Sequence, residues 1–288
     1  MTPVTIGEVI KHLLDGAALV EGGVDGVVAG PGSGWGEADA NTDTDAARAG
    51  TFNASTAVTG VAVVFTATQA LLEQAAALGV NLVISHEGLF YCHREAGAAW
   101  LPDDPVVRAK RELLGRTGMT VVRYHDRPHR CQPDAITAGL IEALAWAPHL
   151  LAHEPAAAVV EIEPMTLAQV ARHVKAKLGI PYVRAAGNPD MLCRRIGVAA
   201  GYRGGAGVAV PLIQAHGLDL VIAGEGPEWE TPEYVRDAAR EGRPLAYLAL
   251  GHAESEEPGM RAIAAWLRER FPGVPVHALR EAPLFRVL

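Results

Sequence analysis

The stretch Gly79-Val-Asn-Leu-Val-Ile-Ser-His-Glu-Gly88 contains a continuous apolar run that ends in a histidine and a glutamate. An apolar run of this length, without polar alternation, is typical of a strand buried on both faces of a parallel sheet. A second stretch, Gly217-Leu-Asp-Leu-Val-Ile-Ala-Gly-Glu-Gly226, repeats the Gly, Leu, Val, Ile, Glu and Gly in register. Chance similarity between two buried strands is one explanation. Two related α/β halves are the other, which we favour.

Similar apolar runs alternate with helical patterns on both sides of these stretches. Strands are predicted at 61–65, 80–85, 120–124, 157–162, 196–200, 218–223 and 245–250. Helices are predicted at 6–14, 67–78, 105–115, 135–144, 167–178 and 258–270, and one more helix ends near residue 216. This alternation predicts βαβ units. The predicted fold is α/β, with two related halves of mainly parallel sheets flanked by helices and a metal cleft between them.

The two halves are predicted at residues 1–150 and 151–288, with 246–288 returning to complete the metal site. Residues 21–60 are rich in Gly, Asp, Thr and Ala, and within them Gly30 to Asp45 has few large apolar side chains. This composition favours a loop or a poorly ordered excursion, so regular structure is expected to resume at Val61.

Composition excludes several classes of protein. The chain has 288 residues, 49% hydrophobic content and 20% charged residues, which suits a folded protein with a sizeable core. A formal net charge of −8, without a long basic run, disfavours nucleic acid as a partner. Three widely spaced cysteines indicate reduced thiols, and neither a signal peptide nor a membrane-length apolar stretch is evident. We therefore expect a cytoplasmic protein without a membrane partner.

Three of the predicted strands end in histidine, and further ligand-type side chains follow each of them. The histidines and their followers are His86 with Glu87, His125 with Asp126 and His129, and His252 with Glu254 and Glu256. Ligands of open α/β sheets bind beyond the carboxyl ends of the strands, where such groups converge. Imidazole and carboxylate together suit Zn, Mn, Fe, Co or Ni. Six ligands exceed the need of one tetrahedral ion, so two divalent ions per chain are predicted. The predicted ligands are His86, Glu87, His125, His129, His252 and Glu256.

Alternatives remain for single members of this set. One strand-end histidine alone is more often a hydrogen-bonded structural residue than a ligand. Glu256 could be only a charge at the N-terminus of a helix whose first turn holds Pro258, and Asp126 could replace His129 as a ligand. The spacing of four residues in His125–His129 and in His252–Glu256 fits one face of a helical turn or a loop that clasps an ion. Among the other histidines, His93 is the least certain to be structural.

Two further segments offer groups for substrate binding and catalysis. The loop Gly201-Tyr-Arg-Gly-Gly-Ala-Gly207 joins a strand to a helix, and Arg203, Gly204 and Gly205 could bind a phosphate there. A plain tight turn is the alternative. Glu225 could act as a general base, or it could belong only to a polar turn before the next helix. Without a G-x-S-x-G elbow or a cysteine in a nucleophile context, water activated by metal is the more natural nucleophile.

These motifs resemble those of the dinuclear metal-centre family often labelled GTP cyclohydrolase 1 type 2-like. The family has a strand ending in His-His, a later His-x-x-x-Asp and a C-terminal Gly-His-x-x-Ser-Glu. This chain has His86-Glu87, His125-x-x-x-His129 and Gly251-His252-Ala-Glu-Ser255-Glu256, and Ala223-Gly-Glu225 resembles the family's T-G-E segment. The resemblance runs from about Val61 to the C-terminus. Glu87 and His129 depart from the pattern but keep ligand-capable groups, Thr66 stands where the family has Asp, and the N-terminal W-D-N signature is missing.

The resemblance implies a toroidal homohexamer with metal sites that face an internal cavity. It also suggests hydrolytic cyclohydrolase or phosphoester chemistry on a small nucleotide-like or phosphorylated substrate. We therefore expect a metal-dependent hydrolase. A non-catalytic metal-binding or scaffold protein of ring-shaped assembly, and a metal-dependent phosphatase or nuclease, are the alternative functions.

Overall fold

The computed structural model of the chain describes residues 2–14, 23–31, 52–93 and 104–288. These residues form two compact units. Unit 1 comprises Met1–Pro128 and Met260–Glu281, and unit 2 comprises His129–Gly259 and Ala282–Leu288. The sequence-based boundary at residue 150 thus falls inside unit 2, and the segment that returns to unit 1 begins at Met260. The predicted metal cleft between the halves stays a prediction.

Unit 1 is built around a five-stranded sheet. Its elements are α1 (Ile6–Leu14), β1 (Gly26–Ala29), β2 (Val61–Val64), α2 (Gln69–Ala77), β3 (Leu82–Ser85), α3 (Pro105–Thr117), β4 (Thr120–Arg123) and β11 (Val276–Ala278). The strand order is β1-β4-β3-β2-β11, and every neighbouring pair is parallel except β1 with β4. Strands β2, β3 and β4 are buried along their whole length, as their continuous apolar runs predict. A short helix, α4 (Asp126–Arg130), follows β4 and carries the chain into unit 2.

Unit 2 is built around a six-stranded sheet. After α4 come α5 (Ala135–Ala143), β5 (Leu150–Glu154), β6 (Ala157–Thr166), α6 (Leu167–Leu178), β7 (Arg184–Ala186), β8 (Leu192–Ala199), α7 (Ala206–His216), β9 (Leu220–Ala223), α8 (Thr231–Arg240), β10 (Ala246–Ala249) and α9 (His252–Arg270). Helix α9 begins in unit 2, and its part from Met260 onward belongs to unit 1. The order β5-β6-β8-β9-β10-β7 has parallel strands β8, β9 and β10 in its centre and antiparallel pairs outside them. The α/β class with two helix-flanked sheets is therefore confirmed, although this second sheet is mixed rather than mainly parallel.

The two units repeat one arrangement of elements. Unit 1 runs α1-β1-β2-α2-β3-α3-β4, and unit 2 runs α6-β7-β8-α7-β9-α8-β10. The corresponding strands lie in the same order, β1-β4-β3-β2 and β7-β10-β9-β8, with the first strand antiparallel in each. Both α1 and α6 begin after a threonine that pairs with Glu8 or Gln169 in a reciprocal cap. The shared topology supports two related halves over chance similarity, and it places the two quoted stretches at β3 and β9, the middle strands.

Two sequence-based boundaries are wrong. Strand β1 lies within 21–60, so regular structure is present before Val61; residues 32–51 of that segment lie outside the described residues. Helix α9 begins at His252 rather than at residue 258, so Pro258 lies inside the helix. Glu256 is therefore in the second turn of α9 and is not a capping charge at its N-terminus.

Two glycines let the backbones of α5 and α9 touch. A β-carbon on Gly139 would lie 2.5 Å from the Cα of Gly259, and one on Gly259 would lie 2.6 Å from the Cα of Ile136. Both obstacles are backbone atoms, which cannot swing aside as a side-chain end can. The two helices are held at this distance only while both positions lack a side chain.

Replacing Gly139 by alanine is expected to lower the free energy of unfolding by about 1–3 kcal/mol, because the methyl group forces the helices apart. Urea unfolding followed by circular dichroism measures the loss. Gly115→Ala in α3 is the matched control, since no atom of the described residues beyond its chain neighbours and the backbone of its own helix would lie within 4 Å of the added methyl group. That control should stabilise the helix by about 0.5–1 kcal/mol. Equal effects of the two substitutions would contradict the close approach.

Candidate metal centre

The first cluster of predicted ligands lies in unit 1, beyond the ends of β3 and β4. These strands are parallel neighbours with Ser85 opposite Arg123, so the residues that follow them come together. The ring of His86 stacks on that of His125 with 4.7 Å between the centroids. Nε2 of His125 lies 3.7 Å from Oε1 of Glu87. The sheet thus brings His86, Glu87 and His125 to one place, as the strand-end pattern predicts.

Hydrogen bonds fix which ring nitrogen these two histidines can offer to a metal. Nδ1 of His86 donates to the backbone oxygen of Tyr124 (3.0 Å), and Nδ1 of His125 donates to Oδ1 of Asp126 (2.9 Å). Carbonyl and carboxylate oxygens only accept, so the proton of each neutral ring lies on Nδ1. The lone pair is then on Nε2, which is the usual arrangement of a metal-binding histidine and its orienting partner. Asp126 is therefore placed as the partner of His125.

A fully buried arginine neutralises the charge of Glu87. Nη2 of Arg123 lies 3.1 Å from Oε2 of Glu87, and its Nε donates to the backbone oxygen of His86 (3.4 Å). Arg123 is 0% exposed. One carboxylate oxygen of Glu87 is thus held by the guanidinium, and the other faces His125. A glutamate at this position, where the family pattern has histidine, adds a negative charge that Arg123 offsets.

Asp25, which directly precedes β1, also supports this cluster, and the sequence did not predict this role. Oδ1 of Asp25 accepts hydrogen bonds from the backbone N–H groups of His125 and Asp126, and Oδ2 accepts one from Arg127 (2.8 Å). Three backbone donors on one carboxylate fix the turn that presents His125. Asp25 lies in a Gly- and Asp-rich segment whose composition indicates only a loop, so no local signal marks it.

The second cluster lies in unit 2 and is centred on Glu256. Its Oε1 lies 3.5 Å from Nε2 of His129, and its Oε2 lies 3.3 Å from Nε2 of His252. His252 and Glu256 are one turn apart in α9, which confirms the helical version of their spacing. The carboxylate is 2% exposed. The sequence-predicted residues His129, His252 and Glu256 therefore converge within this unit.

Carboxylates orient the histidines of the second cluster as well. Nδ1 of His129 donates to Oδ2 of Asp134 (3.0 Å), and Nδ1 of His252 donates to Oε1 of Glu225 (2.9 Å). In both rings the lone pair of the neutral form is then on Nε2, which faces Glu256. Oε1 of Glu225 is placed to orient His252, and the role of Glu225 as a general base stays a prediction.

The pKa values of His129 and Asp134 depend on each other and on their neighbours. Burial lowers the pKa of His129, but its hydrogen bonds to Asp134 and Glu256 outweigh burial and hold the pKa above its ordinary value. Burial raises the pKa of Asp134, but His129 and Arg203 outweigh it and hold this pKa below its ordinary value. A site that favours a proton on His129 between two carboxylates is a site that favours a positive charge.

Several hydrogen-bond donors of the glycine-rich loop after β8 are paired with acceptors of the protein. Arg203 pairs with Oδ2 of Asp134 (2.6 Å). The N–H of Gly204 donates to the backbone oxygen of Glu225 (3.0 Å), and that of Ala206 donates to Glu230 (2.7 Å). One N–H of Arg203 and the N–H of Gly204 are thus paired within the protein, and Arg203 supports Asp134. The binding of a phosphate by Arg203, Gly204 and Gly205 stays a prediction.

Gly201, in the loop after β8, lies at a position where a side chain would not fit. A β-carbon on Gly201 would lie 2.0 Å from Oε1 of Glu256 and 3.3 Å from Nε2 of His252. The N–H of Gly201 donates to Oγ of Ser255, which in turn donates to the backbone oxygen of His252. The absence of a side chain at Gly201 therefore leaves room beside the carboxylate and imidazole groups.

The donor chemistry of both clusters fits divalent ions. In unit 1, Nε2 of His125 lies 3.7 Å from Oε1 of Glu87, and the ring of His86 stacks on that of His125. In unit 2, both oxygens of one carboxylate face the lone-pair nitrogens of two histidines. Nitrogen and oxygen ligands of this kind suit Zn, Mn, Fe, Co and Ni.

The chain is thus an α/β protein of two units that share one topology. Each unit has a histidine–carboxylate cluster beyond its parallel strands, and each cluster is a candidate metal site. Residues 49–283 match the Duf34/NIF3 (NGG1p interacting factor 3) family, and the chain belongs to this family. It is 27% identical over 217 residues to the "GTP cyclohydrolase 1 type 2 homolog" of Escherichia coli K12, covering 74% of this chain and 78% of that protein. The Pseudomonas aeruginosa protein of the same name is 29% identical, covering 72% and 77%. The resemblance predicted from the three motifs is thereby confirmed.

Solved structures share the fold. A structure described as "protein ybgI, unknown function" has a TM-score of 0.69 at 22% identity, covering 98% of this chain and 99% of that one. A Bacillus cereus protein related to NIF3 has a TM-score of 0.72 at 15% identity, covering 97% of each chain. These likenesses confirm the two-unit α/β architecture. Within the described residues, no helix has the length and apolarity needed to cross a membrane.

Proposed function

We propose that this protein binds two divalent metal ions per chain and is a two-metal hydrolase. His86, Glu87 and His125 would hold one ion, and His129, His252 and Glu256 would hold the other. The observation that carries the proposal is the orientation of the four histidines. Each donates from Nδ1 to a fixed oxygen, so each neutral ring keeps its lone pair on Nε2.

When bound, a pair of divalent ions lowers the pKa of water and polarises a carbonyl or phosphoryl oxygen. The chain's own residues prepare the place for this chemistry. Asp126, Asp134 and Glu225 orient histidine rings, and Arg123 offsets the charge of Glu87. The burial of His86 and Glu256 limits competing water. None of these residues needs to move for the ligand atoms to face one another within a cluster.

The relatives' name supports the hydrolytic part of the proposal and the substrate class. Proteins that this chain resembles are called homologues of a GTP cyclohydrolase, so we propose a small nucleotide-like or phosphorylated substrate. Zn is the metal we propose to test first, followed by Mn, Fe, Co and Ni. Homohexameric assembly and a cytoplasmic location complete the proposal, with other copies of the chain as its partners.

Metal analysis combined with a substrate screen tests the proposal. Purified protein should contain about two ions per chain. Turnover of at least one compound from a panel of nucleotides and phosphoesters should disappear with chelator and return with added metal. Bound metal without turnover across the panel would favour the non-catalytic metal-binding protein. Absence of metal after reconstitution with all five ions would refute both functions.

Single substitutions in the two clusters are expected to remove one ion each. His125→Ala should empty the unit 1 cluster, and His252→Ala should empty the unit 2 cluster, because each removes an oriented nitrogen ligand. Elemental analysis after dialysis should give about one ion per chain for each variant and none for the double variant. His277→Ala, at a histidine on β11, is the control and should keep both ions. Two retained ions in His252→Ala would remove His252 from the ligand set.

A further inference from the structure

His93 differs from the four oriented histidines in the hydrogen bond that its ring makes. Nη2 of Arg123 lies 3.3 Å from Nδ1 of His93, and Nη1 of the same guanidinium donates to the backbone oxygen of His93. A guanidinium group has donors only. Nδ1 of His93 must therefore accept, and the proton of its neutral ring lies on Nε2.

This protonation is the opposite of that in the proposed ligands. His86, His125, His129 and His252 donate from Nδ1 to an oxygen and keep a lone pair on Nε2. His93 accepts at Nδ1, so its Nε2 presents a hydrogen rather than a lone pair. A ring in this state is a hydrogen-bond donor and a poor metal ligand.

The position of His93 beside the unit 1 cluster indicates what its Nε2–H group can bind. A ring nitrogen of His93 lies within 4.8 Å of ligand atoms of Glu87 and His125, and the His93 and His125 rings meet edge to face at 5.1 Å between centroids. His93 is exposed, whereas Arg123 behind it is fully buried. A molecule in solution can thus reach His93, and Arg123 anchors both its ring and its backbone.

We propose that His93 binds an oxyanion, such as a phosphoryl group, at the unit 1 cluster by donating a hydrogen bond from Nε2. The proposal rests on the proposed function, since the metal ion of that cluster supplies the charge that draws the anion there. It assigns His93 to the substrate and not to the metal. The buried Arg123 orients the His93 ring and adds positive potential, and Glu87 balances part of that charge.

Inorganic phosphate and the Co²⁺-loaded full-length protein provide the test. Titration calorimetry gives the dissociation constant of phosphate, and elemental analysis gives the metal content of the same sample. His93→Ala should weaken phosphate binding by about 10-fold or more, the range for a hydrogen bond to a charged group. It should keep the metal content of the wild type. His93→Gln, which retains an N–H donor, should recover most of the affinity, and His153→Ala on the exposed edge strand β5 should change nothing.

Four results would overturn the inference, and they have three distinct meanings. Loss of an ion from His93→Ala would make His93 a ligand. Unchanged phosphate affinity in His93→Ala, or no phosphate binding by the loaded wild type, would remove the oxyanion role while leaving the metal centre intact. A wild-type protein that takes up no metal would refute the proposed function itself, and the inference would fall with it.

Discussion

Asp134→Ala is expected to lower the free energy of unfolding by about 2–4 kcal/mol and to release one metal ion. Oδ1 of Asp134 accepts from the backbone N–H groups of Ile136 and Thr137 and so caps α5. Oδ2 accepts from His129 and Arg203. One substitution therefore removes a helix cap and leaves two charged or polar partners without their buried acceptor. The released ion should be the one that His129 holds.

Asp104→Ala is the matched control for this change. Asp104 caps α3 through the N–H groups of Val106 and Val107, the same two-donor geometry, and neither a histidine nor an arginine is among its side-chain bonds within the described residues. Its loss should cost only the cap, about 0.5–2 kcal/mol, and leave the metal content unchanged. Urea unfolding of the metal-free proteins measures the loss of stability in each of the two variants, and elemental analysis of the metal-loaded proteins measures their metal content. Equal losses from the two substitutions would show that the bonds to His129 and Arg203 contribute nothing.

The pH dependence of unfolding gives a second readout for Asp134. Its pKa in the folded protein lies below the ordinary value because His129 and Arg203 outweigh burial. A lowered pKa contributes stability above the pKa of the unfolded chain, and this contribution is lost as the pH falls through the folded value. The metal-free wild type should therefore lose stability in acid below about pH 4, the ordinary range of an aspartate. Asp134→Asn should lack that part of the loss.

The central strands could be predicted because their sequences carry their own signal. Strands β2, β3, β4 and β9 are short apolar runs buried on both faces, and each lies where the run predicts. The four strands without a prediction are β1, β5, β7 and β11, and all four lie at sheet edges. An edge strand is partly exposed and gains its place from one neighbour only. Its residues therefore need no continuous apolar run, and the local sequence does not mark them.

The candidate ligands could be predicted, whereas the residues that orient them could not. A histidine at the end of a parallel strand must lie at the carboxyl edge of the sheet, so position in the sequence already implies convergence. Asp25 and Arg123 act across the fold, on backbone or side-chain groups that their own surroundings in the sequence do not reveal. For Glu225 the sequence suggests a general base, and only the geometry shows that its Oε1 accepts a hydrogen bond from His252.

The start of α9 shows how one residue can mislead. Proline favours the first turn of a helix, so Pro258 indicates a start near itself. The helix instead begins at His252, and Pro258 lies in the second turn. A proline there loses one backbone hydrogen bond near the helix start and costs less than it would in the centre. The earlier start decides the site, because it places His252 and Glu256 on one face.

Glu256→Gln is expected to weaken metal binding in the unit 2 cluster by at least about 100-fold, since loss of an outer partner alone costs 10–100-fold. Glu256 is the carboxylate that both His129 and His252 face, at 3.5 and 3.3 Å. Glutamine keeps the size of the side chain, so the fold should persist while the negative charge is lost. One ion per chain should remain, held by the unit 1 cluster, and any chelator-sensitive turnover should disappear.

Glu254→Gln separates the charge at this site from the charge of α9 as a whole. Glu254 lies in the first turn of the same helix, so its substitution removes an equal charge from that helix. No contact of Glu254 with His129 or His252 is among the ion pairs of the described residues. This variant should retain both ions and its turnover. If both variants lost the same ion, the acidic character of the start of α9 rather than the position of Glu256 would determine binding. If neither lost an ion, Glu256 would not be a ligand, and the unit 2 cluster would be a hydrogen-bonded core of two histidines and their carboxylates.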